Sequence, residues 1–422
     1  MSGTLTTGKL ILTQNTSNND AFDRLRVSNV ETLCDLNHIY HKNPFEISEY
    51  VSTTGATSNH ISTNSYVQMA LTNGGVTGKV IRQSNEYIPH QSGKSKLMMF
   101  SGVMEFVSGG TTGVFARIGC FDSSEDKLAP ATGTGNGCFF ELNNKTLYVV
   151  IRNNNDDTLK VAQNNWNYDT FNGLGPSGIT LNDYSKSLLY VIDQESNGVG
   201  TVRFGLYFNG KMCLAHIFNN SGITVPYNKT PKLPIRYEIS STIPATAEMR
   251  MICSSIISEG GFEPSGLSFS IGRPTVKSIT STTTPIPIIA VKLRDSEPFN
   301  RKTMILKSLS ILNTSKNTFQ WDLYVLPDET DLQGGSWLNI NDANSIAQYN
   351  NNPTSITQAG AVLIESGYST DTSYVSFKNE KYLGSIILNS NISGKSKVMC
   401  LCGVSLGGTI TTVGSLSWIE II

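Results

Sequence analysis

The chain has 422 residues, of which only 15% are charged; 32 basic and 33 acidic side chains leave a net charge of −1. That balance argues against nucleic acid as the main partner, because phosphate binding needs a basic excess. The length points to two or more domains, each large enough to bury a core without disulfides or metal, and 38 Asn with 37 Gly and many Ser and Thr indicate turn-rich, uncharged β surfaces.

Residues 1–44 are polar and without sustained period, including Asn15-Thr16-Ser17-Asn18-Asn19-Asp20, and read as an extended N-terminal arm. The start lacks the basic and apolar segments of a signal peptide, so the expectation is synthesis in a host cytoplasm without secretion. No apolar run approaches the roughly 18–20 residues of a membrane helix, so no membrane partner is expected.

Alternation then begins. Met98, Phe100, Gly102, Met104 and Phe106 share one face of a predicted strand. Phe139–Leu142 and Leu147–Arg152 flank Asn143-Asn144 as a predicted hairpin. Val202, Phe204, Leu206 and Phe208 alternate up to Asn209-Gly210, and Met212, Leu214, His216 and Phe218 repeat the period after it. Asn-Gly suits a type I′ turn, whose two central residues both need positive φ. Leu188–Asp193 adds a third strand to a meander. Many short strands with frequent turn signals predict a large β-sandwich over residues 45–276.

Ser278–Pro287 is a Ser/Thr tract ending in two prolines, so a linker is expected over 277–287. Beyond it, Ile288–Leu293, Met304–Leu312, Phe319–Leu326, Gly360–Ile364, Leu383–Leu388, Val398–Val404 and Ser415–Ile422 read as strands of a second sandwich, 288–422. Asp342–Gln348 is the one short helix candidate. The predicted fold is all-β: two jelly-roll-like β-sandwich domains preceded by the arm.

Candidate chemistry is sparse. Gly93-Lys94-Ser95 lacks the glycine five positions earlier, where Ile88 stands, and is followed by a strand pattern instead of the helix a phosphate loop requires. Cys34, Asp35, His38 and His41 form the densest set of possible metal ligands, but no second half-site accompanies them. The seven cysteines read as free thiols. No Gly-X-Ser-X-Gly elbow is present. Asp122, Glu125, Asp126, Asp156, Asp157, Asp193 and Glu195 are available for a glycosidase pair, though turn roles suit them better. Trp166-Asn167-Tyr168 with Tyr184 offer sugar-stacking faces, weighed against core packing. No catalytic residue, cofactor or metal is expected.

A family resemblance runs along the chain: Ala21-Phe22-Asp23-Arg24-Leu25-Arg26-Val27-Ser28, Leu33-Cys34-Asp35, Ile81-Arg82-Gln83, Gly119-Cys120-Phe121-Asp122, Gly175-Pro176-Ser177-Gly178, Val202-Arg203-Phe204-Gly205, Pro231–Glu238 and the ending around Trp418 and Glu420. These pieces resemble a family of largely uncharacterised virion structural proteins of tailed bacteriophages and large double-stranded DNA viruses. Cys34 stands where that pattern has Phe, and Ser92 where it has Pro. The resemblance implies a non-enzymatic virion protein, a surface component such as a minor capsid, vertex, spike or fibre protein. The alternatives are a carbohydrate-binding or depolymerising attachment spike and a neck or tail component. Expected partners are other virion proteins, copies of the chain itself as a trimer, and a host-surface glycan. Phe22, Asp23, Arg24, Leu25 and Arg26 are the anchoring candidates of the arm, apolar enough to dock and charged enough to set register.

Overall fold

The computed structural model describes residues 3–6, 9–12, 28–72, 75–104, 113–126, 135–195, 198–263, 266–370, 374–378 and 387–421. The anchoring candidates Phe22, Asp23, Arg24, Leu25 and Arg26 lie outside the described residues. The chain is all-β. Every pairing between named strands is antiparallel, and the helical segments among the described residues are three-residue 3-10 turns such as Ser124–Asp126 and Gln163–Asn165. No helix of the described residues is long and apolar enough to cross a membrane.

The first sandwich packs a seven-stranded sheet on an eight-stranded one. In spatial order the former runs Asp156–Ala162, Thr146–Asn153, Gly137–Asn143, Val114–Phe121, Ile235–Ser241, Lys79–Ser84, Ile47–Val51. The latter runs Lys211–Phe218, Val202–Phe208, Leu188–Gln194, Lys96–Val103, Thr246–Ser258, Tyr66–Thr72, Ala56–Ile61, with Glu31–Asn37 also pairing with Thr246–Ser258. The two-residue period puts Ile118, Phe140, Val149 and Tyr237 of one sheet against Phe100, Tyr190, Phe204 and Met249 of the other, all fully buried. Phe140 meets the Tyr190 and Phe204 rings at 5.1 and 5.2 Å between centroids. Each such side chain contributes about 1.5–3 kcal/mol of transfer free energy. The Asn209-Gly210 turn has the expected geometry, with φ of 50° and 75° at its two residues and Phe208 opposite Lys211. The second predicted hairpin turns one residue later than expected: Asn143 pairs with Thr146, and Asn144 and Lys145, at φ 48° and 63°, make the turn.

The second sandwich packs two six-stranded sheets. One is centred on Ile410–Ile421 and Thr303–Asn313, the other on Ile286–Leu293, Val398–Ser405 and Phe319–Leu326. Trp418, Leu309, Leu323 and Leu401 fill its core.

Several expected limits differ from the pairing. Glu31–Asn37, expected in the arm, is a strand of the first sandwich because Leu33 and Leu36 bury into its core. Leu267–Gly272, expected in the first sandwich, pairs with Ile410–Ile421 of the second. Lys277–Ile279, within the expected linker, pairs with the same strand, and Ile286 begins the next. The segment 342–348 is not helical, because Asn341 Oδ1 takes the backbone N–H of Ala343 and Asn344 at 3.0 and 2.9 Å, an Asx turn that leads into the strand Ala347–Asn350.

Direct bonds join the two sandwiches. Arg301 reaches the buried Asp122 at 2.9 Å, Lys397 donates to the Phe45 carbonyl and Lys232 Nζ donates to the Ile421 carbonyl at 3.1 Å. Phe262 packs on Ile305, Ile419 and Ile421.

Candidate functional site

The seven-stranded sheet carries its core on one face and, on the other, a row of charges. In Val114–Phe121 the even residues Val114, Ala116, Ile118 and Cys120 point into the core, which turns Arg117 outward. The same alternation turns out Glu141 and Glu238. Register then sets Glu141 opposite Arg117, and Arg117 opposite Glu238, across three adjacent strands. Arg117 Nε meets Glu141 at 2.7 Å and its terminal nitrogen meets Glu238 at 2.7 Å. Lys160 also bonds Glu141, Arg236 bonds Glu238, and Arg236 reaches Asp126 at 2.6 Å, where Lys79 also arrives at 2.9 Å.

Glu141 and Glu238 are buried, and Asp126 is partly buried. Burial alone would raise the Glu238 pKa, but Arg236, Arg117 and Lys79 more than reverse that and hold it below the usual carboxylate range. The same pairs act against burial to raise the pKa of Arg236 and Arg117. Phe121 and Phe139, 4.4 Å apart, carry the Arg236 and Arg152 guanidinium groups at 5.3 and 4.9 Å. A glycosidase pair needs one carboxyl poised to give up a proton. Glu141 and Glu238 instead share one guanidinium, which ties three adjacent strands together.

Three of the cavities formed by the described residues bear on function. The first, of about 620 Å³, lies at the hairpin Gly137–Asn153 and the loop 163–184, where Thr146, Tyr148, Asn164, Asn172, Asn182 and Tyr184 face it. Among its lining residues Lys145 alone is charged, and the Lys160 ammonium stands over the Tyr148 ring, 4.8 Å from its centroid. Its loop wall is braced from behind. Asp169 accepts the N–H groups of Phe171 and Ser177, each at 2.8 Å, and Gly175 sits so close that a Cβ there would stand 2.1 Å from the Asp169 carboxylate. Gln163 Nε2 donates to the Thr170 and Leu181 carbonyls at 2.9 and 3.0 Å, and the Tyr184 hydroxyl donates to Gln163. Uncharged amides and hydroxyls beside a half-exposed tyrosine, on a wall held by its own hydrogen bonds, can take a neutral polyol without paying to order the loop.

The second cavity, about 470 Å³ between the sandwiches, brings Glu86, Glu46, Asp35 and Cys34 beside Phe45, Val325 and Ile364. Burial, reinforced by Glu46, pushes the Glu86 pKa up to about 8. The third, about 730 Å³, is also a cleft between the sandwiches.

The residues singled out in the sequence fall mainly into structural roles. Trp166 is buried on Phe171, its indole N–H donating to the Val161 carbonyl at 3.1 Å. Tyr168 is exposed, and Tyr184 lines the first cavity. Cys34 packs on the core, His38 is buried and the exposed His41 accepts the Asn43 N–H on Nδ1 at 2.8 Å. Among the described residues no group of three or more His, Cys, Asp or Glu is arranged to hold a metal. Gly93 takes a φ of 80° in a turn, and Lys94 Nζ donates to Gln91 at 2.7 Å. His216 Nδ1 accepts from the Asn167 N–H at 3.1 Å. Asp122, Asp126, Asp157 and Asp193 each pair with an arginine, and Glu195 accepts the Thr201 N–H at 2.9 Å. Asp156 is exposed, and the Glu125 side chain lies outside the described residues. Sequence reading missed the row Glu141, Arg117, Glu238. Its signal is a charge at an outward position of each of three strands whose inward residues are apolar, with Arg236 a second such charge on Ile235–Ser241.

No family model and no curated relative matches this chain. Among solved structures it is similar to peanut lectin with a nine-residue peptide, at 15% identity and a TM-score of 0.34, covering 55% of this chain and 98% of that one. It is similar to the Bacillus licheniformis beta-glucanase at 8% identity and a TM-score of 0.33, covering 55% and 98%. It is also similar to the endo-1,3-beta-glucanase of Streptomyces sioyaensis at 9% identity and a TM-score of 0.37, covering 56% and 99%. At these values the likeness says nothing about chemistry.

Proposed function

We propose that this chain is a non-enzymatic structural protein of a virion surface whose first sandwich holds a neutral host saccharide in the cavity at Tyr148. The binding half rests on one observation: a braced cavity of about 620 Å³ whose lining is amide, hydroxyl and aromatic, with Lys145 as its charged member among the described residues. Saccharide hydroxyls exchange hydrogen bonds with water for hydrogen bonds with such amides, and an aromatic face takes the apolar side of the ring. The virion half rests on the sequence resemblance that spans the chain and on its low charge.

Titration of the full chain with neutral oligosaccharides from the host surface tests the binding half. Tyr148→Leu, which keeps apolar packing on the Phe121, Phe139 and Val150 cluster, should weaken binding about tenfold, the loss of roughly 1.4 kcal/mol. The exposed Asn182→Ala should weaken it several-fold. Unaltered binding in both variants would remove this site. Peptide mass analysis of purified particles tests the other half, and a particle lacking this chain would refute it.

The depolymerising reading has one observation in its favour, the raised Glu86 pKa beside Glu46 in the second cavity. A protonated carboxyl next to a second carboxyl is what glycoside hydrolysis requires. Release of reducing ends from host glycans, abolished by Glu86→Gln, would overturn the non-enzymatic proposal.

A further inference from the structure

We propose that the cleft between the two sandwiches is a separate binding site for a carboxylate-bearing saccharide. Its walls come from both domains: Lys42, Tyr50 and Arg82 from the first, Pro327, Asn391 and Lys397 from the second. At about 730 Å³ it has the size of a small-molecule site, and domain junctions are where such sites form.

Charge is the first argument. The cleft is lined by Lys42, Lys79, Arg82 and Lys397 against Glu49 and Asp126. The two acids are already oversubscribed. Glu49 serves both Lys42, at 2.8 Å, and Arg82, while Asp126 serves both Lys79, at 2.9 Å, and Arg236, at 2.6 Å. Lys397 is 8% exposed and has no carboxylate within 4.0 Å among the described residues; its Nζ donates to the Phe45 carbonyl and lies 4.1 Å from the Phe45 ring centroid. Arg82 is 1% exposed and its buried Nε makes no hydrogen bond among the described residues. Lys397, more than nine-tenths buried with no carboxylate within 4.0 Å among the described residues, is costly to keep charged unless an anion joins it, and Arg82, already paired with Glu49, adds one unused donor. Burial lowers the Lys397 pKa to about 8, with the more distant Glu46 charge acting the other way.

Shape and chemistry argue for a sugar acid over a bare anion. Tyr50 is 49% exposed at the cleft, and Pro327 and Ile392 add apolar surface beside it. Asn391 holds its own loop through Oδ1, which accepts from Ser393 and the Lys395 N–H, so its Nδ2 remains a donor. A carboxylate between Lys397 and Arg82, a ring on Tyr50 and a hydroxyl at Asn391 use every feature of the cleft.

The test is calorimetric titration of the full chain with trigalacturonate, with its methyl ester as the uncharged control and inorganic phosphate as the bare anion. Trigalacturonate should bind, the ester at least tenfold more weakly. Lys397→Met should weaken trigalacturonate at least tenfold. Tyr50→Ala, at an exposed position, should weaken trigalacturonate several-fold and leave phosphate unchanged, which keeps the proposal testable if Lys397→Met does not fold. Tyr148→Leu should leave trigalacturonate binding unchanged, which separates this site from the neutral-saccharide cavity. Equal affinity for acid and ester, undiminished binding in both cleft variants, or phosphate binding as tightly as trigalacturonate would overturn the assignment.

Discussion

Replacing Arg117 with methionine removes the cation that bridges the buried Glu141 and Glu238. Glu141 is fully buried and Glu238 is 4% exposed, whereas Arg117 itself is 15% exposed, so the loss falls on groups that water cannot rescue. Breaking a buried pair by removing one partner costs about 3–5 kcal/mol. Glu141 keeps Lys160 and Glu238 keeps Arg236, which places the expected loss near the low end, about 3 kcal/mol. For a domain of this size each kcal/mol moves the melting point by about 2–4 °C, so Arg117→Met should melt about 6–12 °C lower. Scanning calorimetry on the full chain at pH 7 reads this directly, and because the pair is buried the difference should persist in high salt. Adding Glu141→Gln should restore about 1–2 kcal/mol, since a neutral amide tolerates burial better than a carboxylate left with only the partly exposed Lys160. The Arg117 variant melting within about 2 °C of wild type, or the second change adding to the damage, would refute the reasoning.

Arg301→Met leaves Asp122 buried without its arginine across the domain junction, and urea unfolding should lose about 3 kcal/mol, with less cooperativity between the sandwiches. His38, held neutral by burial and by Arg82, titrates near 4 in the folded chain and near 6.5 unfolded, so folding loses stability as pH falls through that window. His38→Leu should therefore gain stability over wild type progressively from pH 6.5 to 4, measured by urea midpoints, and a pH-independent difference would exclude His38 as the cause. Glu86, with a folded pKa of about 8 against 4.5, keeps its proton in the folded state, so stability declines as pH rises from 4.5 to 8. Glu86→Gln should flatten that decline, and an unchanged pH profile would argue that Glu86 is solvated.

The alternation at Val202–Phe208 and Lys211–Phe218, with Asn209-Gly210 between them, is legible in the sequence because the strand period and the turn's positive φ are local properties. The strand Phe319–Leu326 is read to the residue for the same reason. Locality fails at Glu31–Asn37, whose polar neighbours suggest an arm; its partner, Thr246–Ser258, lies some two hundred residues away, and only that pairing buries Leu33 and Leu36. It fails at Asp342–Gln348, where a single Asn341 side chain outcompetes helical hydrogen bonding. The functional geometry is the least legible part. Glu141, Arg117 and Glu238 form one row because two neighbouring strands and a third, Ile235–Ser241, far along the chain, adopt one register. Lys42 and Lys397 share a cleft because two sandwiches dock. Composition and period determine that this chain folds as β-sandwiches. Which charges meet, and which stay without a partner, is decided by long-range register and domain packing, which no local pattern encodes.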